Sequence, residues 1–144
     1  MNINPKNGIG DLLFGMKQQH VITLIGKPSK QYTDDEKNVV YLYNQHKLRL
    51  TFYEEEEFRL GYMVISHPGA MLFDKEVIHR VPKEVQNEAP ERSYKTWEIA
   101  DEDGIVSYFN EDNWLMLISE FDEITKVEVG AIITNDEFDW RFSG

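Results

Sequence analysis

The chain has 144 residues, 41% of them hydrophobic and 12% aromatic, which is enough to bury the core of one compact domain. It carries 26 acidic against 15 basic residues, a net charge of −11, and this sign argues against binding to the phosphates of nucleic acids. The absence of cysteine excludes disulfides, thiolate metal ligands and cysteine nucleophiles.

The first element in chain order is a helix within Gly15–Pro28. Met16, Leu24 and Ile25 bracket Val21 at roughly helical spacing, whereas Lys17–Gln19 are polar and suit a solvent-facing side. Gly26 favours the left-handed conformation that ends helices, and Pro28 cannot continue one. The apolar segment before this helix, Ile9–Phe14, is predicted to form a short strand or turn.

Three strands are predicted next, near Val39–Tyr43, Leu48–Tyr53 and Leu60–Ile65. In the second strand Leu48, Leu50 and Phe52 alternate with polar residues, as expected when one face of a sheet packs on a core. Short polar links join the strands, and His67-Pro68-Gly69 then interrupts the pattern.

The second half repeats this order of elements. A short hairpin over Leu72–Ile78, with a helix start as the alternative, precedes a helix that begins at Pro82, since proline suits the first helical turn. Four strands are then predicted, near Tyr94–Ala100, Val106–Phe109, Trp114–Ser119 and Ile124–Ile133.

A near-constant spacing relates the halves. Leu48 precedes Leu115 by 67 positions and Leu60 precedes Val127 by 67, while Val21 precedes Val85 by 64. The spacing predicts a duplicated helix–β-meander unit, with repeats over about 8–66 and 70–134. The expected fold is therefore α+β, a single domain over 1–144 whose antiparallel sheet or sheets carry the helices on one face, followed by an acidic and aromatic tail.

The segment Phe14–Pro28 resembles the signature G-M-x-x-x-x-V-x-x-x-x-G-x-P of small helix-plus-meander domains. These include the outer-membrane assembly lipoproteins of the BamE type and the duplicated β-lactamase inhibitor proteins. The chain shows no signal peptide and no lipobox cysteine, so the lipoprotein role is not expected and a cytoplasmic location is. In the inhibitor architecture, a concave sheet face without helices grips a partner protein.

In size, charge and fold class, the chain is also similar to immunity proteins of bacterial contact-dependent and polymorphic toxin systems. Such proteins neutralise a toxin domain, often a basic nuclease, by binding it. This similarity implies a cognate toxin, basic in charge, as the partner, and neither nucleic acid nor membrane as a partner.

No catalytic or metal-binding motif stands out. His20, His46, His67 and His79 lack the spacing of metal ligands, and no serine lies in G-x-S-x-G. The acidic runs at 54–57 and 101–104 are interpreted as solvated turns. We therefore predict no enzymatic activity, no metal and no cofactor, and an enzyme built from scattered acids is the alternative.

Strand alternation predicts a contact face opposite the helices. Its residues are of the types enriched in protein interfaces, namely Tyr41, Tyr43, Arg49, Tyr53, Tyr108, Trp114 and Met116. Acidic turns are expected to surround this face and to steer a basic partner; they comprise Glu54, Glu55, Glu56, Glu57, Asp101, Glu102, Asp103, Asp122 and Glu123. Aromatic packing within the sheet is the alternative explanation for the aromatic residues.

The sequence thus favours a cytosolic immunity-type inhibitor that occludes a toxin domain. The alternative is a small-molecule-binding or housekeeping domain without enzymatic activity.

Overall fold

The computed structural model describes all residues from 1 to 144 and confirms the α+β class. The first half consists of three two-residue strands, a helix and four longer strands. These are β1 (Ile3–Asn4), β2 (Gly8–Ile9), β3 (Leu12–Leu13), α1 (Gln18–Ile25), β4 (Lys30–Thr33), β5 (Val39–Tyr43), β6 (Leu48–Tyr53) and β7 (Arg59–Ile65).

The second half begins with a small hairpin and ends with another. Its elements are β8 (Met71–Leu72), β9 (Lys75–Glu76), α2 (Pro82–Asn87), β10 (Glu98–Glu102), β11 (Ile105–Asn110), β12 (Leu115–Glu120), β13 (Glu123–Gly130), β14 (Ile133–Thr134) and β15 (Glu137–Phe138). Single 3₁₀ turns lie at Glu54–Glu56, Arg92–Tyr94 and Glu111–Asn113.

One antiparallel sheet of eight strands dominates the molecule, in the order β10-β11-β12-β13-β7-β6-β5-β4. It is made of two meanders, β4–β7 and β10–β13, which meet where β7 and β13 pair from Tyr62 opposite Gly130 to Ile65 opposite Val127. The strands β4 and β10 form its two edges, and every residue of both is exposed.

The helix boundaries follow local chemistry. The Lys17 N–H donates to His20 Nδ1 (3.1 Å) at the start of α1, and the Gly26 N–H donates to the Ile22 carbonyl (2.8 Å) at its end. Gly26 has a positive φ of 87°, which glycine adopts more readily than other residues. The predicted helix start at Pro82 is confirmed. Neither helix has the length and apolar character needed to cross a bilayer.

A cluster of 26 buried residues forms the core. One face of the large sheet contributes to it through Leu50, Leu117 and Val127, and the cluster also contains Val21 of α1 and Val85 of α2. We call this side the core face. The other side, on which Arg49, Val64, Glu128 and Met116 occupy one row across β6, β7, β13 and β12, is the open face.

Two strand predictions need correction. The edge strand β4 was not predicted, because its residues KQYT carry no hydrophobic alternation and it is held by backbone pairing with β5. The predicted strand Tyr94–Ala100 begins later, at Glu98, because Arg92–Tyr94 forms a 3₁₀ turn. Asp101 and Glu102 consequently belong to β10, and the turn after it is reduced to Asp103-Gly104.

The acidic and aromatic C-terminal segment packs back onto the molecule. Its backbone N–H groups at Arg141 and Phe142 both donate to the Phe14 carbonyl at 3.0 Å. The rings of Phe138 and Trp140 stack with centroids 4.8 Å apart, and Phe142 lies 4.5 Å from the ring of His20. This segment therefore links the last hairpin to the start of α1.

Candidate functional site

The predicted position of Tyr41 and Tyr43 on the open face is wrong. Residues directly opposite one another in paired strands point to the same side, and these two tyrosines stand opposite Leu50 and Leu48. They are only 2% and 4% exposed. Their hydroxyls donate to Gln18 Oε1 (2.7 Å) and to the Gly26 carbonyl (2.8 Å), so both tyrosines join β5 to α1.

The predicted position of Tyr108 on the open face is wrong for the same reason. It stands opposite Leu117, which is fully buried on the core face, and it packs against the core cluster. Arg49 and Met116, by contrast, lie on the open face as predicted. Arg49 is exposed, and Met116 is half-buried opposite Glu128.

An aromatic cluster around Trp114 lies on the open face, at the start of β12. The Trp114 ring lies edge-on to Tyr62 (5.4 Å between centroids) and to Phe109 (4.8 Å). It also covers Gly130, where a Cβ atom would stand 2.9 Å from the indole. Sequence reasoning missed Tyr62 and Phe109. The place of Tyr62 beside Trp114 depends on the pairing of β13 with β7, which joins the two halves, and that of Phe109 depends on the register of β11 with β12.

The hydroxyl of Tyr62 donates a hydrogen bond to Glu128 Oε1. Burial of the phenol raises the pKa of Tyr62 strongly, and the hydrogen bond to the Glu128 carboxylate raises this pKa further. Arg49 opposes the shift only partly. Tyr62 is therefore a neutral hydrogen-bond donor, and it holds the Glu128 side chain on the open face.

Tyr53 lies at one end of the open face, where its ring covers Gly61. A Cβ atom at Gly61 would overlap this ring, so only glycine permits the contact. Phe138 of the C-terminal segment packs on the other side of Tyr53, with centroids 5.7 Å apart. Burial, and then the charge of Glu36, raise the pKa of Tyr53 to about 12.

The acidic turns do not surround the open face. Residues 54–57 lie at the end of β6 beside Tyr53. Within that run Glu57 contacts Lys17 Nζ and Arg59 Nη2, each at 3.8 Å, whereas Glu54 and Glu55 form no salt bridge; all three are exposed. The remaining predicted acids lie at the opposite end of the strands, on or directly beside the two turns that close β10–β11 and β12–β13.

At that end the structure brings the predicted acids together in one corner. Glu102 pairs with Ile105, Ile105 with Glu120, and Glu120 with Glu123, which makes a continuous row across four strands. Asp103 and Asp122 lie on the adjoining turns, and Asp101 accepts a hydrogen bond from the Gly104 N–H (3.0 Å). We call this group, together with Phe121, the acidic corner.

Sequence reasoning missed Phe121, together with Glu120 and Ile105 of the same corner. Phe121 is 91% exposed, the highest value among the exposed large hydrophobic side chains, and neighbouring Ile105 is 49% exposed. Phe121 and Asp122 form a two-residue turn with φ of 52° and 60°. The signal was present in the sequence, since Phe stands where such turns favour Asn or Gly.

A comparison within the molecule shows how unusual this turn is. The adjacent hairpin uses Asp103-Gly104, a pair well suited to positive φ. Two other Phe residues lie in the left-handed region, Phe58 and Phe73, and both pack against the core, so burial offsets the backbone strain. The ring of Phe73 lies edge-on to Tyr94, with centroids 5.0 Å apart. Phe121 has the same kind of backbone strain, but its side chain is almost fully exposed, so no burial offsets that strain.

Comparison with known proteins gives a likeness in fold only. No protein-family model matches the chain, and no curated protein matches its sequence. Among solved structures, an extracellular protein containing an SCP domain from Bacillus anthracis is similar with a TM-score of 0.54 at 14% identity, over 79% of this chain and 42% of that one.

Two further structures are more distant. A cysteine-rich secretory protein from Staphylococcus aureus has a TM-score of 0.49 at 14% identity, over 88% of this chain and 47% of that one. A DUF4309 family protein from Bacillus subtilis has a TM-score of 0.48 at 13% identity, over 81% and 78% of the two chains. The chain thus spans less than half the length of the first two proteins.

Proposed function

We propose that this protein is a cytosolic immunity-type inhibitor that binds a cognate bacterial toxin domain and blocks it by occlusion. It acts by binding and without catalysis. The observation that carries the proposal is the acidic corner, where an exposed Phe121 stands in a strained turn among carboxylates.

Exposed aromatic side chains are costly for a free protein and useful in an interface. An aromatic anchor that enters a pocket of the partner can supply much of a binding energy, because it is rigid and has a large apolar surface. Backbone strain tends to persist where function requires it. Phe121 combines both features, and Ile105 beside it extends the apolar surface.

The negative charge of the acidic corner favours a partner with a basic surface. Five carboxylate residues surround Phe121 on the two hairpins, namely Glu102, Asp103, Glu120, Asp122 and Glu123. Like charges so close together repel, and a basic surface would relieve that repulsion. The same field would accelerate the encounter with a basic toxin, in keeping with the overall charge of −11.

The scaffold suits this use. We propose that the two meanders derive from one duplicated unit, whose helices cover the core face and leave the open face to a partner. In support, each half places one helix before four consecutive strands. By register, equivalent positions are 67 residues apart in β6 and β12 and 64 residues apart in β7 and β13. The aromatic cluster around Trp114 would then form a second part of the contact, next to Arg49.

The test is co-expression with the product of the adjacent gene. We expect that product to arrest growth when expressed alone, the chain to restore growth, and the two proteins to co-purify. A variant with Glu120 and Glu123 changed to Gln should protect less, whereas the same exchange at Glu54 and Glu55, which lie at the other end of the strands, should protect as the wild type does. If the adjacent product is harmless, or if no complex forms at micromolar concentration, the proposal fails.

A second candidate function is the binding of a small molecule. It is favoured by a depression of about 390 Å³ on the open face, lined by cationic and apolar side chains.

A further inference from the structure

A depression lined by basic side chains lies on the open face; we call it the basic depression. It lies at the same end of the strands as the acidic corner, but over β5, β6 and β7. It has a volume of about 390 Å³ and is lined by three cationic side chains, Lys47, Arg49 and Lys126. Arg49 stands opposite Val64 of β7. Ser66, directly after β7, donates its N–H to the Lys47 carbonyl (2.9 Å) and joins the lining.

The three cations are close neighbours through the register of the sheet. Lys126 precedes Val127, which pairs with Ile65, so Lys126 and Ser66 come side by side at the edge of β13 and β7. Adjacent strands are about 5 Å apart, which places the Lys126 and Lys47 backbones about two strand spacings from each other with Ser66 between them. Their side chains and that of Arg49 border one shared space.

Three cations share this space in a chain of net charge −11. Five of the fifteen Lys and Arg residues have a carboxylate oxygen within 3.8 Å, namely Lys17, Arg59, Lys75, Arg80 and Arg141. Lys47, Arg49 and Lys126 form no salt bridge, and no acidic residue lines the depression. The acidic side chain in the row of Arg49, Glu128, accepts the hydrogen bond from Tyr62.

The rest of the lining defines what would fit among these charges. Leu42 and Val64 supply apolar surface, while Ser66 and Asn44 supply neutral polar groups at the rim. An anionic head group would relieve the repulsion between the cations, and an Arg guanidinium matches the two oxygens of a carboxylate. An aliphatic chain would cover the apolar floor, which an inorganic anion would leave wet.

We propose that the basic depression binds a carboxylate attached to a short aliphatic chain, with Arg49 and Lys126 at the carboxylate and Leu42 and Val64 under the chain. Two sources share this chemistry: a free aliphatic acid, and the C-terminal residue of a polypeptide such as leucine. The site lies beside the acidic corner and is independent of it, so it does not depend on a toxin partner.

The experiment uses four probes on the full chain, with backbone amide NMR shifts as the readout. Hexanoate represents the free acid, and hexanol is its uncharged counterpart. N-acetyl-glycyl-leucine represents a peptide C-terminus, and its amide is the uncharged counterpart. We expect at least one acid to shift the amides of Arg49, Val64 and Lys126 saturably, and the uncharged counterparts to leave them in place.

The two acids distinguish the sources, because the one that binds more tightly identifies a free acid or a chain terminus as the better occupant. Arg49→Gln and Lys126→Gln should each weaken binding about fivefold or more, since each removes a charge-assisted contact. Lys83→Gln on α2 removes the same charge far from the site and should bind as the wild type does. Raised salt should weaken binding.

Three results would overturn the proposal. The first is the absence of saturable binding by either acid up to about 20 mM, a range that covers weak ligands of this size. The second is binding of hexanol as tight as that of hexanoate, which would show only nonspecific hydrophobic binding. The third is an equal loss of binding in Lys83→Gln and Arg49→Gln, which would show a general charge effect. Arg49 is exposed, so its replacement is not expected to disturb folding, and thermal unfolding of each variant checks this.

Discussion

Replacing Phe121 with Asn should make the protein more stable and a poorer binder. The side chain lies in a left-handed turn with φ of 52° and is 91% exposed, so it contributes strain and little packing. Asn tolerates this backbone conformation better than Phe and is common at the first position of such turns. The exchange leaves the net charge unchanged, so the carboxylates around the turn keep their field.

The expected stability change is small and positive. The left-handed conformation costs an ordinary L-residue about 1–2 kcal/mol, and Asn recovers part of this, about 0.5–1 kcal/mol. Removing a side chain that is one-tenth buried loses only about 0.2–0.3 kcal/mol of the roughly 1.5–3 kcal/mol of a fully buried one. The net gain of about 0.5 kcal/mol corresponds to a rise in Tm of about 1–3 °C for a domain of this size.

The effect on binding should have the opposite sign. Truncation of an aromatic anchor costs at least about 2 kcal/mol, which is roughly 30-fold in Kd. Differential scanning calorimetry measures the first effect, and titration calorimetry with the cognate toxin domain measures the second. Leu24→Gln, which removes another exposed apolar side chain (46% exposed) from α1, is the control and should leave the Kd unchanged. A fall in Tm for Phe121→Asn would refute the reasoning, because Phe121 would then stabilise the fold.

Three further predictions concern folding and charge. Asn110→Ala should destabilise the protein by about 2–4 kcal/mol in urea unfolding, because its fully buried amide bridges two backbone carbonyls and caps a 3₁₀ turn. Gly130→Ala should displace the Trp114 ring, with a cost of about 1–3 kcal/mol and a changed near-UV dichroism. Glu88→Gln should lower Tm at pH 7, because hydrogen bonds from Arg80 and then Lys75 lower the pKa of Glu88 to about 2 in the folded state, below the ordinary 4.5. The stability that ionised Glu88 gives the wild type should therefore be lost as the pH falls from about 4.5 to about 2.

Matched variants separate these effects from general damage. Asn87→Ala, at an exposed position of α2, should change stability by less than about 0.5 kcal/mol. Gly69→Ala lies in a loop without positive φ and meets only an exposed histidine ring, so the Trp114 signal should be retained. Equal losses in the test and control variants would contradict the assigned contacts.

Features written in consecutive residues could be predicted from the sequence. Gly26 and Pro28 fixed the end of α1, Pro82 fixed the start of α2, and alternation identified β6, because each of these depends on local backbone conformation or on one strand alone. A hairpin was predicted over Leu72–Ile78 for the same reason, and β8–β9 forms it one residue earlier, from Met71 to Glu76.

Features that depend on pairing between distant residues could not be predicted from the sequence. Tyr41 and Tyr43 alternate like face residues, but their side is set by register with Leu50 and Leu48, and a tyrosine ring can be buried when its hydroxyl reaches a partner. Edge strand β4 has no hydrophobic pattern of its own. Of the candidate site, the sequence predicted Asp101, Glu102, Asp103, Asp122 and Glu123 but not Glu120. The convergence of these acids around Phe121 follows from the pairing of β10 through β13.

The central claim is that this protein inhibits a partner by stoichiometric binding, and a titration tests it most directly. A fixed amount of the toxin encoded by the adjacent gene is mixed with increasing amounts of the chain, and residual toxin activity is measured at equilibrium. We predict a linear fall that ends at one chain per toxin. Complete loss at much lower ratios, growing with time, would reveal an enzyme, and full activity at a large excess of the chain would contradict inhibition altogether.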